Sequence, residues 1–128
     1  MYKDFPIVQL HPQASIAAEA AECAGEQGQY WPMHAVLFAE PSEWDTTEDI
    51  ARAAFAEYAS GIGLDTARFD ACMAEGRYRP AVEANIAEGR RMGVTGTPAF
   101  IINGKILAGA QPTEVFRRVL DRELKQQP

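Results

Sequence analysis

The chain has 128 residues, 47% hydrophobic and 23% charged, with ten glycines and eight prolines, enough for one globular domain with a real core. Twelve Lys and Arg stand against 18 Asp and Glu, a formal charge of −6. That balance argues against nucleic acid and anionic membranes as partners. No apolar run approaches the roughly 18 residues of a membrane span. The opening Met1-Tyr2-Lys3-Asp4-Phe5-Pro6 lacks the basic start and apolar stretch of a secretory signal. Two cysteines, Cys23 and Cys72, are too few for a disulfide-built miniprotein and too far apart for a CxxC motif.

Phe5 to Leu10 is a short apolar piece broken by Pro6 and closed by His11-Pro12, so it reads as an edge fragment or a loop. From Ser15 the spacing predicts a helix with Ile16, Ala20, Cys23 and Ala24 on one face, ending at Gly25 and Gly28. A second helix follows with Pro32 in its first turn and a stripe of Trp31, His34, Ala35 and Phe38. Residues 40–47 read as a polar connection carrying one exposed aromatic, Trp44.

Asp45 and Glu48 have the spacing of a capping box for a third helix, with Ile50, Ala54, Phe55 and Tyr58 inward and Gly61 and Gly63 as its end. Asp65 caps a short helix that turns Phe69, Cys72 and Met73 inward and stops at Gly76. Pro80 opens another helix through Val82, Ile86 and Met92, closed by Gly93. There the period changes. Pro98 to Ile102, Asn103-Gly104 and Lys105 to Ala108 predict a two-stranded hairpin on a type I′ turn. After Gly109-Ala110-Gln111, Pro112 starts a last helix with Val115, Phe116, Val119, Leu120 and Leu124 inward.

Candidate chemistry is sparse. The histidines and cysteines match no zinc spacing, so no metal site is expected, and nothing places His11 or His34 beside a sulfur as a nucleophile's base. Gly61-Ile62-Gly63 lacks the further glycine or lysine of a phosphate loop. Glu19, Glu22, Glu57 and Glu88 read as solvated helix faces, with no carboxylate pair of note, and Arg90-Arg91 as cations placed at a helix C-terminus. The most informative stretch is Gly93-Val94-Thr95-Gly96-Thr97-Pro98. It is either an ordinary turn leading into a strand or a tight turn with a cis X-Pro bond.

That stretch, continuing through Ala99-Phe100-Ile101-Ile102-Asn103-Gly104, resembles the cis-proline loop and hairpin of the DsbA-type thiol-disulfide oxidoreductases of the thioredoxin superfamily. The resemblance covers essentially the whole chain. Tyr2 to Pro6 is similar to the end of the family's second core strand. Ala17 to Ala24, Trp31 to Phe38 and Phe69 to Tyr78 resemble helices of its inserted helical subdomain, and Gly109 to Pro112 resembles the approach to its last helix. The resemblance implies an α/β thioredoxin-like fold as a single domain 1–128, with a helical insertion at 13–92 and the cis-proline loop, hairpin and last helix at 93–128. Family catalysis runs through a CxxC at a helix start, where the first thiolate is activated. This sequence has none, and neither cysteine stands in its place. The expectation is therefore a partial member, without the first core strand, redox helix and most of the second strand, and redox-inactive as it stands.

What the resemblance transfers is Thr97 and Pro98 as a peptide-contacting loop and a cis bond between them. It also implies a structural disulfide between Cys23 and Cys72, worth up to roughly 4 kcal/mol for a loop of this length. Extended or unfolded protein thiols and disulfides are the expected partners, and no cofactor is expected. A non-catalytic peptide-binding or vestigial module is the alternative. A glutathione-transferase or isomerase relative would rest on fold analogy alone. Intact relatives are mostly exported. An apolar hairpin edge at Ala99 to Ile102 is expected to find a strand, in a second copy or in Tyr2 to Leu10, or else to stay solvated.

Overall fold

A computed structural model describes residues 1–126. Its elements are α1 (Ala14–Gly25), α2 (Tyr30–Ala39), α3 (Pro41–Trp44), α4 (Glu48–Gly61), α5 (Thr66–Glu75), α6 (Arg79–Arg91), β1 (Ala99–Ile102), β2 (Lys105–Ala108) and α7 (Thr113–Lys125). The described residues are mostly helical, with a small antiparallel sheet. The chain divides into two compact units, Met1–Ile86 and Ala87–Pro128.

The first unit is a helical body. Alanines at 17, 20, 21 and 24 let neighbouring helices approach α1 closely, and Phe55, Phe69, Met33 and Val82 fill the interior. Full burial of side chains of this size stabilises by roughly 1.5–3 kcal/mol each. Asp65 caps α5 by accepting from the Arg68 amide at 3.1 Å, as its spacing predicts. Gly76 closes the same helix with φ 59°, a left-handed conformation that glycine tolerates without strain.

Several readings change here. The Trp31, His34, Ala35 and Phe38 stripe of α2 is not its inner side: Met33 and Leu37 are buried, whereas Trp31 and Phe38 are 59% and 72% exposed. Trp44, expected in solvent, is only 7% exposed, packs on Phe55 and donates its indole N–H to the Leu37 carbonyl at 3.0 Å. The connection around it is the short helix α3. The cap of α4 is Thr47, whose hydroxyl accepts from the Ile50 amide, and Asp45 instead binds His11 Nδ1 at 2.6 Å. Ile50 faces out, and Ala51, Phe55 and Ala59 face in. Tyr2 to Leu10 forms no strand; it ends in a turn in which the Leu10 and His11 amides both donate to the Ile7 carbonyl.

In the second unit β1 and β2 pair antiparallel with Phe100 opposite Leu107 and Ile102 opposite Lys105. The turn is Asn103 at φ 48° and Gly104 at φ 78°, the two positive values a type I′ hairpin requires. Among the described residues the sheet has these two strands. Phe100 stacks edge-on against Phe116 of α7, with ring centroids 4.7 Å apart. Val115, Phe116 and Val119 are partly covered, but Leu120 and Leu124 are exposed, contrary to the predicted inner face. Glu123 is buried instead, where it accepts from Lys105 Nζ at 2.7 Å.

Candidate functional site

The loop between α6 and β1 is built to expose main chain. Gly93, at φ 87°, turns the backbone out of α6, and a Cβ there would meet Ile106 Cδ1 at 3.3 Å, so the position suits only glycine. The Thr97–Pro98 peptide is cis, and both residues are exposed. The Pro98 carbonyl accepts from the Gly109 amide at 2.8 Å, which ties the loop to the end of β2. Residues 93–99, with Ile106, Ala108 and Gly109, line an open depression of about 180 Å³. Parity along the hairpin adds to it. The residues flanking a two-residue turn form a hydrogen-bonded pair, so Ile102 and Phe100 face β2 with their main-chain groups and Ile101 and Ala99 face the outer edge. The site therefore offers a depression and a row of backbone donors and acceptors suited to an extended polypeptide.

Cys23 and Cys72 lie in the other unit. They form a disulfide between α1 and α5, with Cα atoms 5.9 Å apart and both side chains buried. Neither sulfur is a free thiol. Among the described residues, no group of three or more His, Cys, Asp and Glu is placed to hold a metal ion.

The sequence reading missed a polar cluster in the first unit. Asp4, 8% exposed, sits among Glu22 of α1, Tyr30 of α2, His34 of α2 and Asn85 of α6. Burial raises the Asp4 carboxyl above its ordinary range, against the opposing pull of those polar neighbours. Burial and the Asp4 charge raise Glu22 as well. Glu22 is thus no solvated surface acid, and the two form a carboxylate pair. Glu19 is likewise buried rather than solvated, held by Arg79 Nε at 3.2 Å, with its second oxygen enclosed and unpartnered. Beside the pair lie stacked rings: Tyr2 meets Trp31 and His34 edge-on at 5.6 and 5.3 Å, and His34 leans on Phe38 at 4.7 Å. The one sequence signal for this cluster was aromatic density in 30–38.

Residues 1–122 match the family model described as thioredoxin. The chain belongs to the thioredoxin family. A crystal structure of a thioredoxin-like oxidoreductase from Silicibacter pomeroyi DSS-3 has the same fold, with a TM-score of 0.71 over 98% of this chain and 68% of that one, at 23% identity. Curated relatives carry another name. The chain is 34% identical over 116 residues to "Na(+)/H(+) antiporter NhaA 1" of Salinispora arenicola, covering 91% of this chain and 17% of that protein. It is 34% identical over 105 residues to "Na(+)/H(+) antiporter NhaA 3" of Salinispora tropica, covering 82% and 15%. It is 31% identical over 111 residues to the NhaA antiporter of Herminiimonas arsenicoxydans, covering 87% and 17%. The chain thus spans about a sixth of the length of these relatives. No helix among the described residues is long and apolar enough to cross a membrane.

Proposed function

We propose that this chain is the peptide-gripping part of a DsbA-type thiol-disulfide oxidoreductase, and that without a CxxC it does not turn over disulfides by itself. The observation that carries the reading is the exposed loop at Thr97 and Pro98, whose main chain lines a depression beside the outward-facing backbone of Ala99 and Ile101. Its ligands are extended segments of proteins bearing thiols or disulfides. The buried Cys23–Cys72 disulfide serves structure, since neither sulfur meets the exposure that thiol exchange needs. The full chain should show no insulin reduction above the dithiothreitol background. It should still bind a labelled extended peptide, and Thr97→Arg, which sets a long cation over the loop, should weaken that binding at least about tenfold. Turnover above background, or unchanged binding by Thr97→Arg, refutes the respective half.

A second reading, a non-catalytic accessory domain, is favoured by the relatives, in which the matched region is a minor part of chains named as Na+/H+ antiporters. Peptide binding without redox activity from a protein extended to its full reading frame would select it. Self-association belongs to the same edge. Two copies paired antiparallel about Phe100 would set Ala99 of each against Ile101 of the other, and both residues turn their backbone groups outward. Light scattering over a concentration series should show a concentration-dependent mass, and a constant monomer mass excludes this pairing.

A further inference from the structure

The chain has two asparagines, and their settings are opposite. Asn85 lies inside α6, half-buried, and is followed by the β-branched Ile86. Asn103 stands exposed at the tip of the hairpin at φ 48° and is followed by Gly104 at φ 78°. A Cβ on Gly104 would meet no heavy atom beyond its chain neighbours within 4 Å, so the way to its backbone nitrogen is open. The ladder makes no use of that nitrogen. Ile102 and Lys105 flank the turn and form its pair, which leaves the Gly104 N–H outside the bonds that hold the strands. The Asn103 side chain is a tether: its Nδ2 donates to Glu123 Oε2 at 3.4 Å, while Lys105 Nζ donates to Oε1 of the same carboxylate at 2.7 Å. Two donors of the hairpin thus hold one buried acid of α7.

We propose that Asn103 is a site of spontaneous covalent modification, at which the Gly104 backbone nitrogen attacks the side-chain carbonyl carbon and turns the tether into a carboxylate. The bond from the Gly104 nitrogen to Cγ forms as the Cγ–Nδ2 bond breaks. Nδ2 leaves as ammonia, carrying the proton of the Gly104 amide. Water then opens the cyclic imide at either carbonyl. Opening at Cγ gives aspartate; opening at the main-chain carbonyl gives an isoaspartyl link, in which the backbone runs through the side chain. Nothing is oxidised or reduced: water is consumed and ammonia released. The site goes beyond the peptide-gripping reading and does not depend on it.

Attack requires the Asn103 side chain to leave Glu123 and swing back over its own backbone. Conversion therefore proceeds from a locally opened turn, and exposed loop tips open at low cost. At Asn85 the same motion would have to unwind the middle of α6, and the branched side chain of Ile86 crowds the attacking nitrogen. The product undoes the contact it came from. A carboxylate at position 103 has no hydrogen to give Glu123, so two acceptors meet where a donor met an acceptor. One of the hydrogen bonds that hold the Glu123 carboxyl low goes with it. The isoaspartyl form also adds a backbone atom between the two positive-φ residues. A two-residue turn has no room for it, so the Ile102–Lys105 pair is disturbed.

The test is incubation of the full chain at mildly alkaline pH, where loss of the amide proton speeds attack, followed by trypsin digestion and mass mapping against unincubated protein. Cleavage after Arg91 and Lys105 isolates Met92–Lys105 with Asn103. Cleavage after Arg77 and Arg90 isolates Tyr78–Arg90 with Asn85, since Pro80 protects the bond after Arg79. The first peptide should gain the mass of an amide-to-acid change at least about tenfold faster than the second, the ratio a clear gap in barrier height gives. Part of it should also accept a methyl group from an isoaspartyl-specific methyltransferase. Asn103→Gly keeps a turn that admits both positive φ values and should abolish both signals. Converted protein, separated by its extra negative charge, should exchange the amide hydrogens of β1 and β2 faster than the parent. Asn103→Asp, the aspartyl product made directly, should do so without incubation. Equal rates at the two asparagines, signals that persist in Asn103→Gly, or hairpin exchange unchanged in both converted protein and Asn103→Asp overturns the proposal.

Discussion

Replacing Trp44 by Phe isolates a single hydrogen bond that links two helices. The indole N–H donates to the carbonyl of Leu37, one of the four at the end of α2 that have no partner within the helix. Val36, one residue earlier, has the Glu40 amide as partner. A phenyl ring keeps most of the packing on Phe55, 5.8 Å away between centroids, but leaves the Leu37 carbonyl enclosed with no donor. An enclosed unsatisfied carbonyl costs about 1–3 kcal/mol. The smaller ring adds part of the cavity cost of a large-to-small change. We expect a loss of about 2–3 kcal/mol on these two grounds together. Trp44→Ala, which removes the ring altogether, should lose about 3–5 kcal/mol. Urea denaturation followed by far-ultraviolet circular dichroism reads both, with an unchanged slope showing that the unfolded state is unaltered. If Trp44→Phe falls within about 0.5 kcal/mol of the parent, as surface substitutions do, the indole is not capping α2 and the reasoning fails.

Reducing the Cys23–Cys72 disulfide, which closes a separation of 49 positions, should lower stability by up to about 4 kcal/mol, read from urea transitions with and without reductant. Phe69→Ala empties a fully buried site beside that disulfide and should cost about 3–5 kcal/mol in the same assay. Gly93→Ala forces a side chain into positive φ and against Ile106, so a loss of more than about 1 kcal/mol is expected, by thermal melting. The Glu123 carboxyl, held down by its hydrogen bond from Lys105, should titrate below the ordinary 4.5, and Lys105→Ala should bring it back up. Because its native value is depressed, whatever it contributes is present above 4.5 and is lost as pH falls through the native value.

The parts of the fold legible in the sequence are those fixed by local chemistry. Asn103-Gly104 can satisfy two consecutive positive φ values, so the hairpin and its register follow. Asp65 and Gly76 mark the two ends of α5 because the cap and the left-handed stop each depend on one residue. Where a position is decided by a distant partner, the local reading goes astray. Glu40, Glu43 and Asp45 give Trp44 a polar neighbourhood in sequence, but Leu37 and Phe55 enclose it in space. Asp45 looks like a helix cap until His11, 34 positions away, takes its carboxylate. Glu19 has the spacing of a surface residue and is buried by Arg79, 60 positions on. The loop at Thr97 and Pro98 could be singled out from its glycines, whereas the Asp4–Glu22 pair could not, because nothing local brings those two acids together.

Helices α2 and α7 show why periodicity alone does not choose the inner face. Helix α2 is apolar almost all round, so two stripes compete: Met33 with Leu37, and Trp31 with His34 and Phe38. The alanine-lined surface of α1 admits slender side chains more readily than an indole, and the aromatic stripe is left outside, where Tyr2 partly covers it. In α7 the pattern is unambiguous and the outcome still differs, for a reason of width. Its apolar sector runs from Val115 through Phe116 and Val119 to Leu120 and Leu124. Two strands, with Phe100 against Phe116, cover only part of that arc. Leu124 remains 66% exposed, and Leu120 is exposed as well. The charge is divided as unevenly as the apolar surface: the second unit carries seven of the twelve Lys and Arg and only four of the 18 acids. The net charge of −6 is therefore the sum of −9 in the first unit (5 cations, 14 acids) and +3 in the second (7 cations, 4 acids).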